Sequence, residues 1–396
     1  MRILHVIQTV NPTTGGPVEG IRQIATAHHS EGHSLEIVSC DRPGDPFLSF
    51  PGVPVHPLHR CGFDRFFPLS LIVWLRRHHS HYDGVVVNGI WSFHLLATYL
   101  ALRGSRTPLL VFPHGMLDPW FKRTYPLKHL KKWLVWPWAI HLPLRAADAV
   151  CFTCEQERLL ARQSFWLYRC REQVVDYGSA GIPDPAFDHA AAFRAVHPAI
   201  AQRHCLLFLG RVAPKKGPDL LFHALATLQR QGLWHPQRHC LVLAGPVDGT
   251  YARRLQHLAC RLHLNDSLHW TGMLQGDLKW GAFQTADAFI LPSHQENFGI
   301  AVVEALSCST PVLLTHAVNI AADIASANAG LVDQDTSEGI TRLLSRWLAL
   351  SPSQRQAMSR NARTIFEQRY EIGNASTSFI RIFEQAIANR RSSISA

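Results

Sequence analysis

Short continuous apolar runs alternate with amphipathic stretches along most of this chain. In the first half, runs at 3–7, 35–39, 84–87, 109–112, 149–153 and 174–177 are rich in β-branched residues and have strand length. Stretches 18–29, 69–79, 93–102 and 155–165 repeat apolar residues at helical spacing. Strand, helix, strand in this order predicts a parallel sheet covered on both faces. Residues 176–203 break the pattern with Gly178, Gly181, Pro183, Pro185 and Pro198, which predicts a first domain over 1–182 and a linker over 183–203. The alternation restarts with strands at 204–209, 240–244, 268–270, 288–291, 311–314 and 330–332. Helices are predicted at 219–231, 251–263, 278–285 and 339–350, giving a second α/β domain over 204–371. Two further helices, 352–368 and 372–389, have no strand between them, and the tail after Asn389 is expected to be unstructured.

The chain's 396 residues suit two domains, and 47% hydrophobic with 17% charged residues is a globular composition. A formal charge of +10 points to an anionic partner: a nucleotide, a nucleic acid or an anionic membrane surface. Nine scattered cysteines, an odd number, argue against a disulfide scaffold. Cys151-x-x-Cys154 has no second pair to complete a zinc site and reads as two small apolar residues at a strand end. The histidine pairs His28-His29 and His78-His79 stand among polar residues and are expected to be exposed. The apolar start of the chain lacks a cleavage-site pattern and reads as a first strand, not a signal peptide. With no apolar run near the roughly 18 residues that span a bilayer, a cytoplasmic location is expected.

Candidate chemistry lies where predicted strands end. The first strand leads through Thr13-Thr14-Gly15-Gly16-Pro17 into a helix, where paired glycines let a ligand approach the backbone and proline suits a first helical turn. It is not a G-x-G-x-x-G fingerprint. His114, in Pro113-His114-Gly115-Met116, follows a strand and can bond a substrate hydroxyl, act as a base, or cap a loop. Residues 120–145 contain six Lys or Arg, no Asp or Glu, and four tryptophans. Leu127, Leu130, Trp133 and Leu134 form one stripe there, with Lys128, Lys131 and Lys132 elsewhere on the wheel. Such a helix suits an anionic membrane surface or packs on a core with a solvated basic face. Farther on, Gly210-Arg211-Val212-Ala213-Pro214-Lys215-Lys216-Gly217 places cations beside a helix start, a diphosphate clamp or an ordinary basic turn. Residues 292–311, PSHQENFGIAVVEALSCSTP, give a strand exit, a loop and a helix bracketed by Glu296 and Glu304. The N–H groups opening that helix suit a phosphate, and Glu304, a turn farther in, suits a sugar hydroxyl.

The order and spacing of these motifs resemble the retaining glycosyltransferases of family 4. Gly210-Arg211, Lys216-Gly217 and Glu296-x7-Glu304 with Phe298-Gly299 between them carry the resemblance. Gly15-Gly16-Pro17 and the run from His114 to Trp120 add to it. The resemblance implies the GT-B architecture: α/β, two Rossmann-like domains facing across a cleft, with a C-terminal helix over 372–396 crossing back to the first. It implies a nucleotide-diphosphate sugar donor, UDP- or GDP-linked, and a saccharide or lipid-linked saccharide acceptor, as in cell-surface polysaccharide synthesis. Arg211 and Lys216 would bind the diphosphate and stabilise its leaving charge, and Glu304 would bind the ribose. Glu296 would hold the donor sugar, with N–H groups of Phe298, Gly299 and Ile300 offered nearby. Gly16 would allow close approach to the phosphates, and His114 would contact the transferred sugar or the acceptor. No metal or other cofactor and no nucleic-acid partner is expected, and the protein would be peripheral at the inner membrane face through 120–145. Family members retain anomeric configuration by same-face attack, with the leaving phosphate taking the acceptor proton.

Two positions depart from the family pattern. The connection reads Tyr177-Gly178-Ser179-Ala180-Gly181-Ile182-Pro183, and Asn88 stands where relatives often have His. Other readings are a non-catalytic protein binding anionic membrane or nucleic acid on a degenerate GT-B fold, and an epimerase or phosphorylase on the same fold.

Overall fold

A computed structural model describes residues 1–12, 15–50, 52–59, 67–184, 186–247 and 249–395. Thr13, Thr14 and Cys61 lie outside the described residues. The chain forms two compact units, Met1–Gly178 with Ile372–Ala396, and Ser179–Glu371.

The first unit holds β1 (Arg2–Ile7), β2 (Ser34–Ser39), β3 (Val55–Pro57), β4 (Gly84–Asn88), β5 (Leu109–Phe112), β6 (Ala149–Phe152) and β7 (Glu172–Val174). They pair in parallel in the order β3-β2-β1-β4-β5-β6-β7. Central strands are buried on both faces, which is why they read as continuous apolar runs. The edges behave differently. β3 is short, half-buried and ends in Pro57, so it has no apolar signature. β7 starts two residues before its predicted position, and its Glu172 is tied to Arg158 (3.0 Å) and Arg162 (2.5 Å).

Helix Ile372–Ser395 belongs to this unit, and Phe379, Ile382, Phe383 and Ala386 pack on Ile3, Val86, Leu110 and Val175. Its close approach requires Gly84, where a Cβ would stand 2.6 Å from the Phe383 ring. The tail expected to lack structure continues the helix to Ser395. Arg390 anchors that end through Asp148 (2.8 Å) and the carbonyl of Ser105 (2.9 Å). His28 is buried, contrary to expectation, because it lies one turn after Ile24 on the inner face of helix Gly16–Ser30, against Phe379. His78 stacks on Trp74 and His79 bonds Thr107, so neither is fully exposed.

The second unit holds β8 (His204–Leu209), β9 (His239–Ala244), β10 (Leu268–Gly272), β11 (Ala288–Leu291), β12 (Val312–Thr315) and β13 (Gly330–Asp333). Their order is β10-β9-β8-β11-β12-β13, again parallel. The stretch 183–203, read as a linker, is built into this unit. Asp188 caps helix His189–Val196 through the Ala191 N–H (2.8 Å), and the helix lies against helix Gly276–Thr285. Contact is so close that a Cβ on Gly281 would meet the His189 carbonyl at 2.1 Å. Helix Ala321–Ser326 is a further element without a strong sequence signal.

Candidate active site

In each sheet the chain winds outward on one side and then crosses to wind the other way. The reversal falls between β1 and β4 in the first unit and between β8 and β11 in the second. Ligands of open α/β sheets bind at such switch points, beyond the carboxyl ends of the strands.

In the second unit the loops after β8 and β11 carry the two motifs from the sequence. After β8 the chain makes a tight turn, Pro214–Lys216, and Gly217 follows at φ 63. Only glycine fits there, since a Cβ would lie 2.2 Å from the Pro292 carbonyl. The His294 N–H donates to the Lys215 carbonyl (2.9 Å) and locks the two loops together. Lys216 Nζ forms an ion pair with Glu296 Oε2. The Glu296 backbone is in turn fastened to the loop after β12, donating to the Ala317 carbonyl (2.9 Å) and accepting from the Asn319 N–H (3.0 Å). Burial alone pushes the Glu296 carboxyl up, but Lys216 and Lys215 beside it, with the Asn297 N–H, hold it below the usual carboxylate range.

A folded-state value below the unfolded one stabilises the protein above the ordinary glutamate range. That contribution is lost as pH falls through the depressed folded value. Lys216→Met is therefore expected to flatten the acid side of the curve of unfolding midpoint against pH. An acid limb identical to wild type would show that the pair contributes nothing.

Gly299 (φ 74) turns the chain into helix Ile300–Ser307, whose first N–H groups face the same end of the sheet. The Phe298 side chain is buried and meets the Tyr370 ring edge-on at 5.8 Å, so its backbone is the part left to offer a ligand. Glu304 does not join Lys216. It is nearly buried and takes the ammonium of Lys279 on helix Gly276–Thr285 (2.8 Å), which also lies over Trp280. Lys279 has no local motif to reveal it. Arg211 is exposed in the loop after β8.

An Asp-x-Asp, Asp333-Gln334-Asp335, stands at the carboxyl end of β13. Its carboxylates are engaged by Arg342 (2.5 Å) and by His294 (2.9 Å). Among the described residues no group of three or more His, Cys, Asp or Glu is arranged to hold a metal ion.

In the first unit, Gly15 (φ 92) precedes helix Gly16–Ser30, and a Cβ on Gly16 would meet nothing within 4 Å. His114 follows β5 at φ 50, a backbone conformation costly for a side-chain-bearing residue. What holds it there is Glu157, a buried carboxylate that accepts from the Gly115 N–H (2.6 Å), the Thr153 N–H (2.7 Å) and the Thr153 hydroxyl (2.8 Å). The sequence signal for Glu157 is an acid three residues after a helix cap. The cap is Cys154, whose sulfur accepts from the Glu157 N–H. Cys151 is buried in β6 and burial pushes its thiol well up, so both cysteines serve structure. His114 Nε2 bonds Asn88 Oδ1 (3.0 Å), and burial pushes the imidazole down to about 4.

The basic amphipathic helix, Pro126–Val135, is not packed as a core helix. Leu127 and Leu134 are 78% and 71% exposed, and Leu130 and Trp133 also face solvent. Lys132 points the other way, over the Trp91 ring at 4.1 Å, and burial lowers its ammonium to about 8. It is therefore not part of the basic face predicted for it.

These two parallel α/β units, of seven and six strands, define the GT-B fold. Sucrose-phosphate synthase from Thermosynechococcus elongatus has this fold, with TM-score 0.78 at 18% identity over 98% of this chain and 100% of that one. Anabaena HepE in complex with UDP-glucose gives TM-score 0.74 at 21% identity over 99% and 100%. Residues 191–365 match the family described as glycosyl transferases group 1, and residues 15–178 match the glycosyl transferase 4-like domain. The chain belongs to the group 1 glycosyltransferases of the family 4 type. It is 30% identical to a D-inositol 3-phosphate glycosyltransferase of Saccharomonospora viridis over 238 residues, 58% of this chain and 54% of the relative. A protein of the same description from Kineococcus radiotolerans is 29% identical over 263 residues, 62% of this chain and 59% of the relative. The chain thus spans little more than half the length of these curated relatives.

Proposed function

We propose that this protein transfers a sugar from a nucleoside-diphosphate sugar, UDP- or GDP-linked, to a saccharide or lipid-linked saccharide, with retention of configuration. The observation that carries this reading is the Lys216–Glu296 pair at the β8/β11 switch point, beside the N-terminus of helix Ile300–Ser307. Departure of a nucleoside diphosphate builds negative charge on phosphate oxygens. A fixed ammonium, the exposed guanidinium of Arg211 and N–H dipoles already in place stabilise that charge without reorganising. No resident metal or cofactor is needed in this scheme. Glu304, paired with Lys279, is the acceptor for the ribose hydroxyls, and Glu296 for a hydroxyl of the donor sugar. Gly16 lets the backbone come near the phosphates, and His114 meets the sugar or the acceptor. HepE is found in complex with UDP and with UDP-glucose, which favours a uridine donor as the first to try.

Calorimetric titration with UDP-glucose and a series of UDP- and GDP-sugars tests the reading. At least one donor is expected to bind saturably, and Glu304→Ala to weaken it about tenfold or more, the worth of a hydrogen bond to a charged group. No binding by any donor, or unchanged affinity in the variant, would sink the assignment.

The acceptor side is read from helix Pro126–Val135. Its solvent-facing stripe is continued by Trp138, Trp166 and Leu167, and Trp133 and Trp166 lie 5.3 Å apart. Lys128 and Lys131 are exposed beside it, and no Asp or Glu occurs in 120–145. Apolar and tryptophan side chains rimmed by cations match an anionic bilayer surface, where a lipid-linked acceptor resides. No helix among the described residues is long and apolar enough to cross a membrane, so this contact would be peripheral, at the cytoplasmic face. Lys128→Glu with Lys131→Glu is expected to lower binding to phosphatidylglycerol vesicles at least tenfold and to remove its salt dependence. Binding that survives the double change would leave the stripe without a lipid role.

A further inference from the structure

Asn88 ends β4 at the switch point of the first sheet, opposite Ile7 of β1. Its backbone carbonyl accepts from His94 Nε2 (3.0 Å), and Gly89 behind it, at φ 86, donates to the Phe112 carbonyl (2.9 Å). The side-chain amide lies between two imidazoles. Oδ1 stands 3.0 Å from His114 Nε2, and Nδ2 stands 3.2 Å from His5 Nδ1. An amide oxygen only accepts and an amide nitrogen only donates. In this orientation His114 must carry its proton on Nε2, and His5 must leave Nδ1 bare.

We propose that Asn88 is a positioning residue that holds His114 as the Nε2–H tautomer, so that Nδ1 presents a lone pair to a hydroxyl of the sugar or acceptor. The proposal rests on the reading of His114 as a substrate contact and adds the direction of its hydrogen bond. His114 accepts; it does not donate to the leaving phosphate.

The surroundings support a built arrangement. The His114 ring stacks on Phe112 at 5.7 Å and meets Tyr177 edge-on at 6.3 Å, and Glu157 grips the next peptide. One group is left unsatisfied. With Nδ1 of His5 accepting, its Nε2–H is buried with no partner among the described residues. The reversed amide would leave only a lone pair unmatched there, which costs less, so packing alone does not select the observed orientation. Sites that do chemistry are where such local costs are kept. The ionisable groups around this cluster are His5 on β1, His28 and Glu19 on helix Gly16–Ser30, His94 on the Asn88 carbonyl, Asp176 and Tyr177 after β7, and Glu157. Among them His5 and His28 are held neutral by burial, and burial lowers His114 likewise.

The test uses the full chain labelled with ¹⁵N-histidine, and His114→Gln to assign the resonance. Long-range proton–nitrogen correlation reports which ring nitrogen carries the proton. Wild type is expected to show Nε2–H at pH 7 with a titration midpoint near 4. Asn88→Asp keeps the acceptor but adds a charge that favours imidazolium, so the midpoint is expected to rise by at least one pH unit. Asn88→Leu is expected to mix the two tautomers; should it fail to fold, the aspartate variant still decides. With UDP-glucose or another donor found to turn over, Asn88→Asp moves the acid limb of kcat upward and leaves the donor KM unchanged. An Nδ1–H tautomer in wild type, or an unmoved midpoint in Asn88→Asp, overturns the proposal. Because the resonance measurements need no substrate, failure of donor binding would sink the glycosyl-transfer reading and leave this result standing.

Discussion

Lys216→Ala is expected to lower kcat for release of nucleoside diphosphate from the donor by two to three orders of magnitude, about 2.7–4 kcal/mol of transition-state stabilisation. Two losses combine. The variant lacks the cation proposed to meet the developing phosphate charge. It also takes from Glu296, 15% exposed in wild type, its ion-pair partner, leaving Lys215 and the Asn297 N–H to hold it. A carboxylate so placed is destabilised as an anion and its pKa moves up, so the hydrogen-bond acceptor proposed for the donor sugar is compromised as well. The backbone cause is not affected. The turn is held by Gly217 against Pro292 and by the bond from His294 to Lys215, neither of which involves the lysine side chain. The fold should therefore survive, and the unfolding midpoint near neutral pH should fall only by what the ion pair contributes there. Lys216→Arg keeps the charge but not the shape of the contact, and is expected to recover only part of the activity. A fall in kcat below threefold for Lys216→Ala would remove the residue from the chemistry.

Glu157→Leu is the change expected to cost most in stability, about 3–5 kcal/mol for the first unit. The wild-type carboxylate accepts from two backbone N–H groups and a hydroxyl, all buried. Leucine satisfies none of them, and each buried donor left without a partner costs about 1–3 kcal/mol. The damage is local as well as global, because the Gly115 N–H is the anchor of a loop whose preceding residue, His114, sits at positive φ. Native-state hydrogen exchange at the amides of β5 and β6 measures both effects, since a two-unit chain need not unfold in one step. Glu157→Gln, which keeps one acceptor, should lose about half as much. Exchange rates indistinguishable from wild type in Glu157→Leu would mean that the loop is held by something else.

The sequence alone determined the two α/β units and the loops proposed to carry the chemistry. Buried parallel strands are apolar on both faces, so their runs stand out, and strands such as Ala288–Leu291 are found where the pattern places them. In the first sheet one edge escaped and the other slipped by two residues, because both are half solvated: β3 has no apolar run and β7 is polar where it binds Arg158 and Arg162. The glycine, cation and glutamate motifs at strand ends were legible because turns and helix starts demand particular residues at fixed offsets.

Partnership was not legible. Lys216 and Glu296 are 80 residues apart, Lys279 and Glu304 25, Asn88 and His114 26, and Asn88 and His5 83. Parallel crossovers bring such residues to one sheet end, and no local periodicity records which will meet. The same holds for which side of a helix is covered. The stripe of Leu127, Leu130, Trp133 and Leu134 has the spacing of a core face, yet it is the face turned to solvent, while Lys132 is turned in against Trp91. Hydrophobic spacing states that a helix has an apolar side; only the packing of its neighbours decides what that side touches.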